Sequence, residues 1–399
     1  MTDPTGPASA VLDTAFFLRW LDRATKVITE QAAQLTELDS AIGDADHGAN
    51  LKRGFTSALA VVTAEPPGSP GALLKAFGTH LTNTVGGASG PLYGTVLRRA
   101  GRVLGDEDPV TPEALGEALA AAVAGVRRLG DSGPGDKTMV DALAPAAEAY
   151  SVALGGGAEV PQALAAASQA AREGAEATVP LQARRGRASY LGERSIGHKD
   201  PGAASSALLI TALYDVTATA GDEPAAPSGT GAVTGTAEAG AAEAAGGAEE
   251  TDDEEGAQPA ATGTAAMVGV ALVSHSRDVA AATAELAKAL VGSGTPAPIG
   301  VAGGVEDGGI GTSATLIRDA IKHADAGRGV VVICDMGSAV LTVKALLAET
   351  GAAALPEGVR IADAPFVEGA VAALVTASAG ADLDLVLSAT DDARNYHKI

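Results

Sequence analysis

Three aspartates fall within eight residues in LTELDSAIGDADHGANLKRGF (35–55): Asp39, Asp44 and Asp46, followed directly by His47, Gly48, Ala49 and Asn50. Carboxylates this close repel one another unless something positive sits among them, and the neighbouring glycines let the backbone turn tightly around such a centre. A hard divalent cation is the natural partner. Mg²⁺ takes few carboxylates and completes its shell with phosphate oxygens, and the alternate spacing of a calcium-binding EF-hand loop is absent. Spacing alone equally allows a solvated acidic turn in which Asp46 or Asn50 caps a helix.

Two glycine-rich segments follow. TVGGASGPLYGT (84–95) carries Gly86, Gly87, Ser89 and Gly90, and LGDSGPGDKTMVDAL (129–143) places Asp-Lys-Thr at the opening of a helix. Small residues there let main-chain N–H groups approach an anion, although either segment can also be a loop of tight turns. Neither fits GxxxxGK[ST], or GxGxxG after a strand, so no standard nucleotide fold is implied. The chain concentrates basic charge in QARRGRASYLGERSIGHKDPGAASSALLI (182–210), where Arg184, Arg185, Arg187, Arg194 and Lys199 would complement phosphates. Arginine-rich loops are also common as solvated surface. Acidic cluster, glycine loops and arginine loop together point to a Mg-nucleotide site.

A second centre lies far along the chain, at VALVSHSRD (270–278). His275 stands just past an apolar strand and before a helix, where ligands bind in open parallel sheets. With Ser274 and Ser276 expected as hydrogen-bond donors and a helix N-terminus at hand, the imidazole is suited to carry a phosphoryl group on one ring nitrogen. A second strand end, CDMGSAVLT (334–342), brings Asp335 and the Gly337–Ser338 turn to the same edge. Asp335 is placed to orient the imidazole or to bind a partner. A histidine after a strand can equally be structural.

The elements that must position these groups divide the chain in three. Up to residue 220 helical periodicity prevails, as in 11–34, 71–85, 111–129, 139–154 and 160–178, with Gly and Pro clusters between. Residues 267–399 alternate short β-rich runs (267–274, 329–335 and a run ending in PIGVAGG) with helical stretches near 278–290 and 312–324, the pattern of a small α/β domain with a mainly parallel sheet. Between them, residues 221–266 hold 10 acidic and no basic groups and lack Leu, Ile and aromatics. Such a segment cannot bury enough apolar area to fold, so a disordered linker is expected. An Ala-rich helix there is disfavoured by recurrent Gly and Pro. A coil of about 46 residues would span on the order of 35–40 Å.

Of the 399 residues, 27 are Lys or Arg and 49 Asp or Glu, for a formal charge of −22. No window supplies the basic surplus that nucleic-acid binding needs. The longest apolar runs fall far short of the ~20 residues of a spanning helix, and the N-terminus lacks the features of a signal peptide. A lone cysteine, Cys334, allows no internal disulfide. These features together point to a cytoplasmic protein.

The run LDSAIGDADHGAN, followed in order by GGASGPLYGT, GDKTMVDAL and ARRGRASYLGERSIGHKDPGA, resembles the nucleotide-binding L subunits of bacterial dihydroxyacetone kinases over about residues 11–216. The resemblance implies an all-α eight-helix barrel that holds ADP or ATP tightly through two Mg²⁺ ions. It assigns Asp39, Asp44 and Asp46 to the metals, and His47, Gly48, Ala49 and Asn50 to the phosphate side. Ala88, Ser89, Gly130, Met139, Arg187, Asp200, Pro201 and Gly202 would line the nucleotide.

VALVSHSRDVA, GGVEDGGIGTSATLIRDAI, VVVICDMGSAVLTVKALL and ADAPFVEGAVAALVTASAGADL resemble the phosphocarrier M subunit of the phosphotransferase-dependent kinase, which is related to the IIA components of mannose-type transporters. On that resemblance His275 is the phosphorylated residue. The domains would be a Mg-ADP/ATP-binding kinase domain (1–220), a linker (221–266) and a phosphohistidine carrier (267–399). The implied partners are the phosphocarrier HPr and a separate dihydroxyacetone-binding K subunit, and the resemblance is compatible with a homodimer through 267–399. Two other roles remain open: an ATP-dependent kinase subunit with exchangeable nucleotide, and a phosphorylation-state regulator that binds a transcription factor.

Overall fold

A computed structural model describes residues 10–218, 266–306 and 308–395; the expected linker lies outside the described residues. The described part before residue 219 is helical and contains no strand. Its helices are α1 (Thr14–Glu30), α2 (Ala32–Ile42), α3 (His47–Ala64), α4 (Pro70–Thr84), α5 (Ser89–Leu104), α6 (Pro112–Gly130), α7 (Val140–Gly155), α8 (Val160–Ala177) and α9 (Pro201–Ala218). Starts are set locally. Asp13, Ser69 and Thr111 each accept a main-chain N–H of the first turn of α1, α4 and α6, and a proline opens α4 and α6.

From α3 onward each helix packs on the next through to α9, α9 returns to α1, and α1 meets α3. Eight helices thus close a ring. The remaining one, α2, packs on α3, α9 and a 3-10 helix at Arg187–Ser195. A single apolar core runs through the ring, with Phe16, Phe17, Leu51, Phe55, Phe77, Tyr93 and Leu97 among its buried side chains. Phe55 meets Phe77 edge-on at 5.4 Å and Tyr93 at 6.2 Å, an arrangement aromatic quadrupoles favour. Elsewhere alanine and glycine let the helices approach closely: a Cβ on Gly94 would lie 2.0 Å from Thr82 Oγ1 on α4.

The second part is a four-stranded, wholly parallel sheet of order β2-β1-β3-β4. Its strands are β1 (Gly269–Ser274), β2 (Ile299–Gly303), β3 (Val330–Cys334) and β4 (Val359–Ala362). Helices α10 (Arg277–Val291), α11 (Ala314–Ala324), α12 (Gly337–Leu347), α13 (Phe366–Ser378) and α14 (Leu383–Asn395) complete it. All of β1 and β3 is buried, as expected where helices cover both faces. Alternate residues divide between two cores. Ala271, Val273, Val330 and Val332 pack with α11 and α12, whereas Val270, Leu272, Val331 and Ile333 pack with α10, α13 and α14. The strand order reverses direction between β1 and β3, and the crevice at that switch point is where ligands of such sheets bind.

No helix among the described residues is long and apolar enough to cross a membrane. The helical ring and the α/β part pack together as one compact unit.

Candidate functional site

The aspartate cluster sits where α2 hands over to α3. The chain turns at Gly43, where a Cβ would fall 2.0 Å from Asp39 Oδ1, and passes through Ala45 at φ 61°. Only a glycine lets the loop fold back over the carboxylate it follows. Asp39 is buried, and its Oδ2 accepts the main-chain N–H groups of Asp46 (2.9 Å) and His47 (3.2 Å). The start of α3 is therefore capped by a side chain from the preceding helix; Asp46 makes no side-chain cap of its own. Oxygens of Asp39, Asp44 and Asp46 lie within 4.8 Å of one another. Burial, then repulsion from Asp44 and Asp39, raises the Asp46 carboxyl despite a hydrogen bond from Asn50 and the charge of Arg187. Arg187 Nη1 reaches Asp44 Oδ2 at 2.5 Å. Three hard oxygen donors with one arginine to offset them fit a divalent cation of the magnesium kind.

Around this centre opens a cleft. Asp39, Asp44, Asp46, His47, Ala88, Ser89, Gly130, Met139, Arg187, Asp200, Pro201 and Gly202 all line it. Gly48, Ala49 and Asn50 do not. Gly48 packs against the main chain of α2, where a Cβ would lie 1.9 Å from Ala32 O. Gly48 and Ala49 belong to the first turn of α3, whose N–H groups have no partner within the helix. Asn50 accepts from Arg53 Nη2 at 2.9 Å and bonds Asp46. Ile42, Leu92, Val126 and Met139 supply an apolar wall. The loop cations divide: Arg185 and Arg187 line the cleft, whereas Lys199 pairs with Glu176.

The floor of the cleft is a buried polar chain. His47 Nδ1 meets Ser89 Oγ at 3.1 Å and its Nε2 meets Ser205 Oγ at 2.8 Å. Ser205 Oγ lies 2.6 Å from Tyr93 Oη, which also donates to Gly202 O at 3.1 Å. Burial drives the His47 imidazole down to about 4 and the Tyr93 phenol up to about 12, so neither carries charge at neutral pH. Asp200 caps α9 by accepting Ala203 N–H at 2.7 Å, and burial pushes it up to about 7. Lys137, 1% exposed, donates through Nζ to the carbonyls of Thr178 (2.8 Å), Leu181 (3.1 Å) and His198. It fastens the segments that lead into the arginine loop and into α9.

Among the described residues, the non-glycine positions at positive φ are Ala45, Asp131 and Lys137. All three belong to loops around this cleft, where backbone strain tends to collect at working sites. Sequence reasoning overlooked Tyr93, Lys137 and Ser205 as individuals, although each sits inside a segment it singled out. The available signal was their position: Tyr93 directly precedes Gly94, Lys137 stands two residues past Gly135, and Ser205 three past Gly202.

In the α/β part, His275 leaves the end of β1 at the switch point, and Asp335 leaves the end of β3 beside it. Asp335 Oδ1 lies 2.9 Å from His275 Nδ1, and its Oδ2 accepts His275 N–H at 2.8 Å and Ser274 Oγ–H at 2.9 Å. His275 Nε2 meets Ser338 Oγ at 2.5 Å. A carboxylate facing Nδ1 keeps the proton there and leaves the lone pair on Nε2. Burial works to raise Asp335, but hydrogen bonds from the His275 ring and main chain and from Ser274 outweigh it and hold the carboxyl below its ordinary range. One expectation fails. Ser274 and Ser276 do not serve the imidazole: Ser274 donates to Asp335, and Ser276 caps α10 by accepting Val279 N–H. The serine that touches the ring is Ser338, 63 residues away in sequence.

A family model described as the DAK2 domain matches residues 41–215. One described as the PTS system fructose IIA component matches residues 269–387. Fold and centres thus define a phosphotransferase-system kinase component that carries its own phosphocarrier-type domain. Over 196 residues, 49% of this chain and 93% of the relative, the sequence is 42% identical to the PEP-dependent dihydroxyacetone kinase, ADP-binding subunit DhaL, of Escherichia coli. It is 38% identical over 201 residues, 50% of this chain and 96% of the relative, to the corresponding subunit of kinase 1 of Listeria innocua. Identity to the L-erythrulose 1-kinase of Mycolicibacterium smegmatis is 39% over 196 residues, 48% of this chain and 34% of that protein. The chain belongs to the PEP-dependent dihydroxyacetone kinase family, as a fusion of a DhaL-type DAK2 domain with a mannose-type IIA domain, and is a phosphotransferase.

Proposed function

We propose that the chain relays a phosphoryl group from phospho-HPr to His275 and on to ADP held in the helical cleft, the resulting ATP then phosphorylating dihydroxyacetone on a separate K subunit. The supporting observation is the imidazole at the switch point, with Asp335 on Nδ1 and an available lone pair on Nε2, in the same chain as a carboxylate cleft that suits a magnesium nucleotide.

In the first step the Nε2 lone pair attacks the phosphorus of phospho-HPr, and the donor's N–P bond breaks. Asp335 stabilises the positive charge that develops on the ring. Ser338, which donates to Nε2 beforehand, turns its hydroxyl to a phosphoryl oxygen afterwards. In the second step a β-phosphate oxygen of ADP forms the new P–O bond and the N–P electron pair returns to Nε2, restoring neutral histidine with its proton still on Nδ1.

On the acceptor side, Asp39, Asp44 and Asp46 would hold two Mg²⁺ ions. Bound magnesium would neutralise charge on the phosphoryl oxygens. His47, Ala88 and Ser89, which line the cleft, would face the phosphates, with the main-chain N–H groups of Gly48 and Ala49 in the first turn of α3 behind them and Asn50 acting through its bond to Asp46. Gly130, Met139, Arg187, Asp200, Pro201 and Gly202 take the rest of the nucleotide, which stays bound through turnover. On this reading residues 1–220 are the kinase domain, 221–266 a tether and 267–399 the carrier, working in the cytoplasm. The likeness to an L-erythrulose 1-kinase keeps other short ketoses open as final acceptors, since that choice belongs to the K subunit.

The test is to incubate the full chain with labelled phosphoenolpyruvate, enzyme I and HPr and map the acid-labile label. It is expected on His275; a chain that stays unlabelled sinks the relay. Nucleotide that survives dialysis and turns over in place is expected, whereas free exchange with the medium would favour an ordinary ATP-dependent subunit.

A further inference from the structure

Helix α12 links the two centres. Its first turn carries Ser338, which holds His275 Nε2. Leu341, three residues and about 4.5 Å further along the helix, lines the carboxylate cleft of the helical ring. The same helix packs on α5 and α6, and α11 packs on α4. Just past its C-terminal end Glu349 is bracketed by two arginines. Its Oε1 accepts from Arg98 Nη1 on α5 at 2.9 Å, and its Oε2 accepts from Arg318 Nη2 on α11 at 2.6 Å. These side chains are largely buried, with 17% of Arg98 and 11% of Glu349 exposed.

The cavity at this seam is lined by Arg98, Arg99, Arg102, Arg128 and Lys344, and among its described lining residues Glu349 is the one carboxylate. Burial and the neighbouring arginines lower Arg99, the sign of positive charge that is only partly offset. Removing one member of a buried ion pair leaves the other uncompensated, which costs far more than the pair contributes. Here the loss of Glu349 would leave cations of both parts facing each other across the seam.

We propose that α12 is the docking element that seats the α/β domain on the helical domain of the same chain for phosphoryl transfer, with Leu341 entering the cleft and Glu349–Arg98 acting as the charged latch. The proposal rests on the relay reading. In the docked arrangement Leu341, one turn along α12 from Ser338, is taken up by the cleft of the helical ring, so this end of α12 must leave the cleft to meet HPr and return to it for ADP. Weakening the latch therefore acts in opposite directions on the two halves of the relay, which a general loss of structure would not do.

The experiment uses the full chain and two variants, Glu349→Gln and Arg98→Ala, with three readouts: ADP affinity, the rate at which phospho-HPr charges His275, and single-turnover transfer from phospho-His275 to bound ADP. Neither residue lines the nucleotide cleft, so ADP affinity should hold. Charging should stay within twofold or rise. Transfer should fall at least tenfold in Glu349→Gln and severalfold in Arg98→Ala, and added salt should slow transfer in the parent chain. If the parent chain is never charged on His275, the relay itself fails. If it is charged, and both variants transfer to ADP within twofold of the parent, the docking proposal is overturned while the relay stands. Should Glu349→Gln disturb the α/β domain through loss of the Arg318 pair, Arg98→Ala, which changes only the helical side, decides alone.

Discussion

The two centres of this chain solve opposite electrostatic problems. At the sheet edge every polar group of the His275 cluster has a protein partner: Asp335 takes three donors, and both ring nitrogens are engaged. That site is complete as it stands. In the helical cleft three carboxylates crowd within 4.8 Å against a single arginine contact, and Asp46 is raised by the burial and repulsion this creates. That site is the one where a bound cation would offset the repulsion, as the proposed magnesium nucleotide would. The contrast suits the proposed roles, because a phosphocarrier must hold its nucleophile ready between encounters, whereas a nucleotide site gains affinity by leaving charge for its ligand to satisfy.

Substitutions that remove each centre's key group sharpen the contrast most. His275→Ala should abolish phosphoenolpyruvate-driven transfer outright while leaving Mg-ADP binding intact, measured by label incorporation beside calorimetry; a variant that still takes label would place the carrier elsewhere. Asp335→Asn comes next. Losing the charge that fixes the tautomer and supports the developing imidazolium should slow charging on the order of 10²–10⁴-fold, with no change in nucleotide affinity. Asp44→Ala should give the mirror image: charging of His275 at the parental rate, but Mg-dependent ADP affinity weakened by more than the roughly 10–100-fold typical of losing an outer-shell metal partner. In the parent chain Mg²⁺ should raise Tm, since a ligand of the folded state stabilises it by mass action; in Asp44→Ala most of that rise should vanish, and an undiminished rise would show that the cluster is not where magnesium acts.

Much of this arrangement is legible in the sequence because it is local. Asp39, Asp44, Asp46 and His47 declare themselves by spacing, and the β-rich runs ending at His275 and Asp335 predict their shared edge, since parallel strands bring their C-terminal ends together. What escapes is what depends on distant packing. His47 meets Ser205 across 158 positions and Ser338 meets His275 across 63, and no local pattern encodes either pairing. The serines adjacent to His275 mislead because a helix start and a partly buried carboxylate compete for their hydroxyls, and both win. Asp39 reads as one more metal ligand, yet one of its oxygens is already committed to capping α3. Lys137 stands in a glycine-rich loop suited to an anion, but its ammonium is spent on three main-chain carbonyls, and burial lowers its pKa.

The smallest expected effect concerns the floor of the helical cleft, where two buried groups pull stability in opposite directions as pH changes. Asp200 is pushed up to about 7 from an ordinary 3.8, so between those values the folded chain binds more protons than the unfolded one, and stability from this group falls as pH rises. His47 is driven down to about 4 from 6.5, so over that span the folded chain binds fewer protons, and stability from this group is lost as pH falls. The windows nearly coincide and the contributions oppose each other. Asn in place of Asp200 can still accept the Ala203 N–H but cannot titrate, so it removes one side of the balance. Without metal or nucleotide, Asp200→Asn should lose Tm more steeply than the parent chain on going from pH 7 to pH 4, and superimposable Tm profiles would show that Asp200 is not protonated in the folded cleft. The sheet edge should not respond to this substitution: charging of His275 by phospho-HPr at pH 7 should be the same in both chains, because Asp335 holds its imidazole without help from the helical domain.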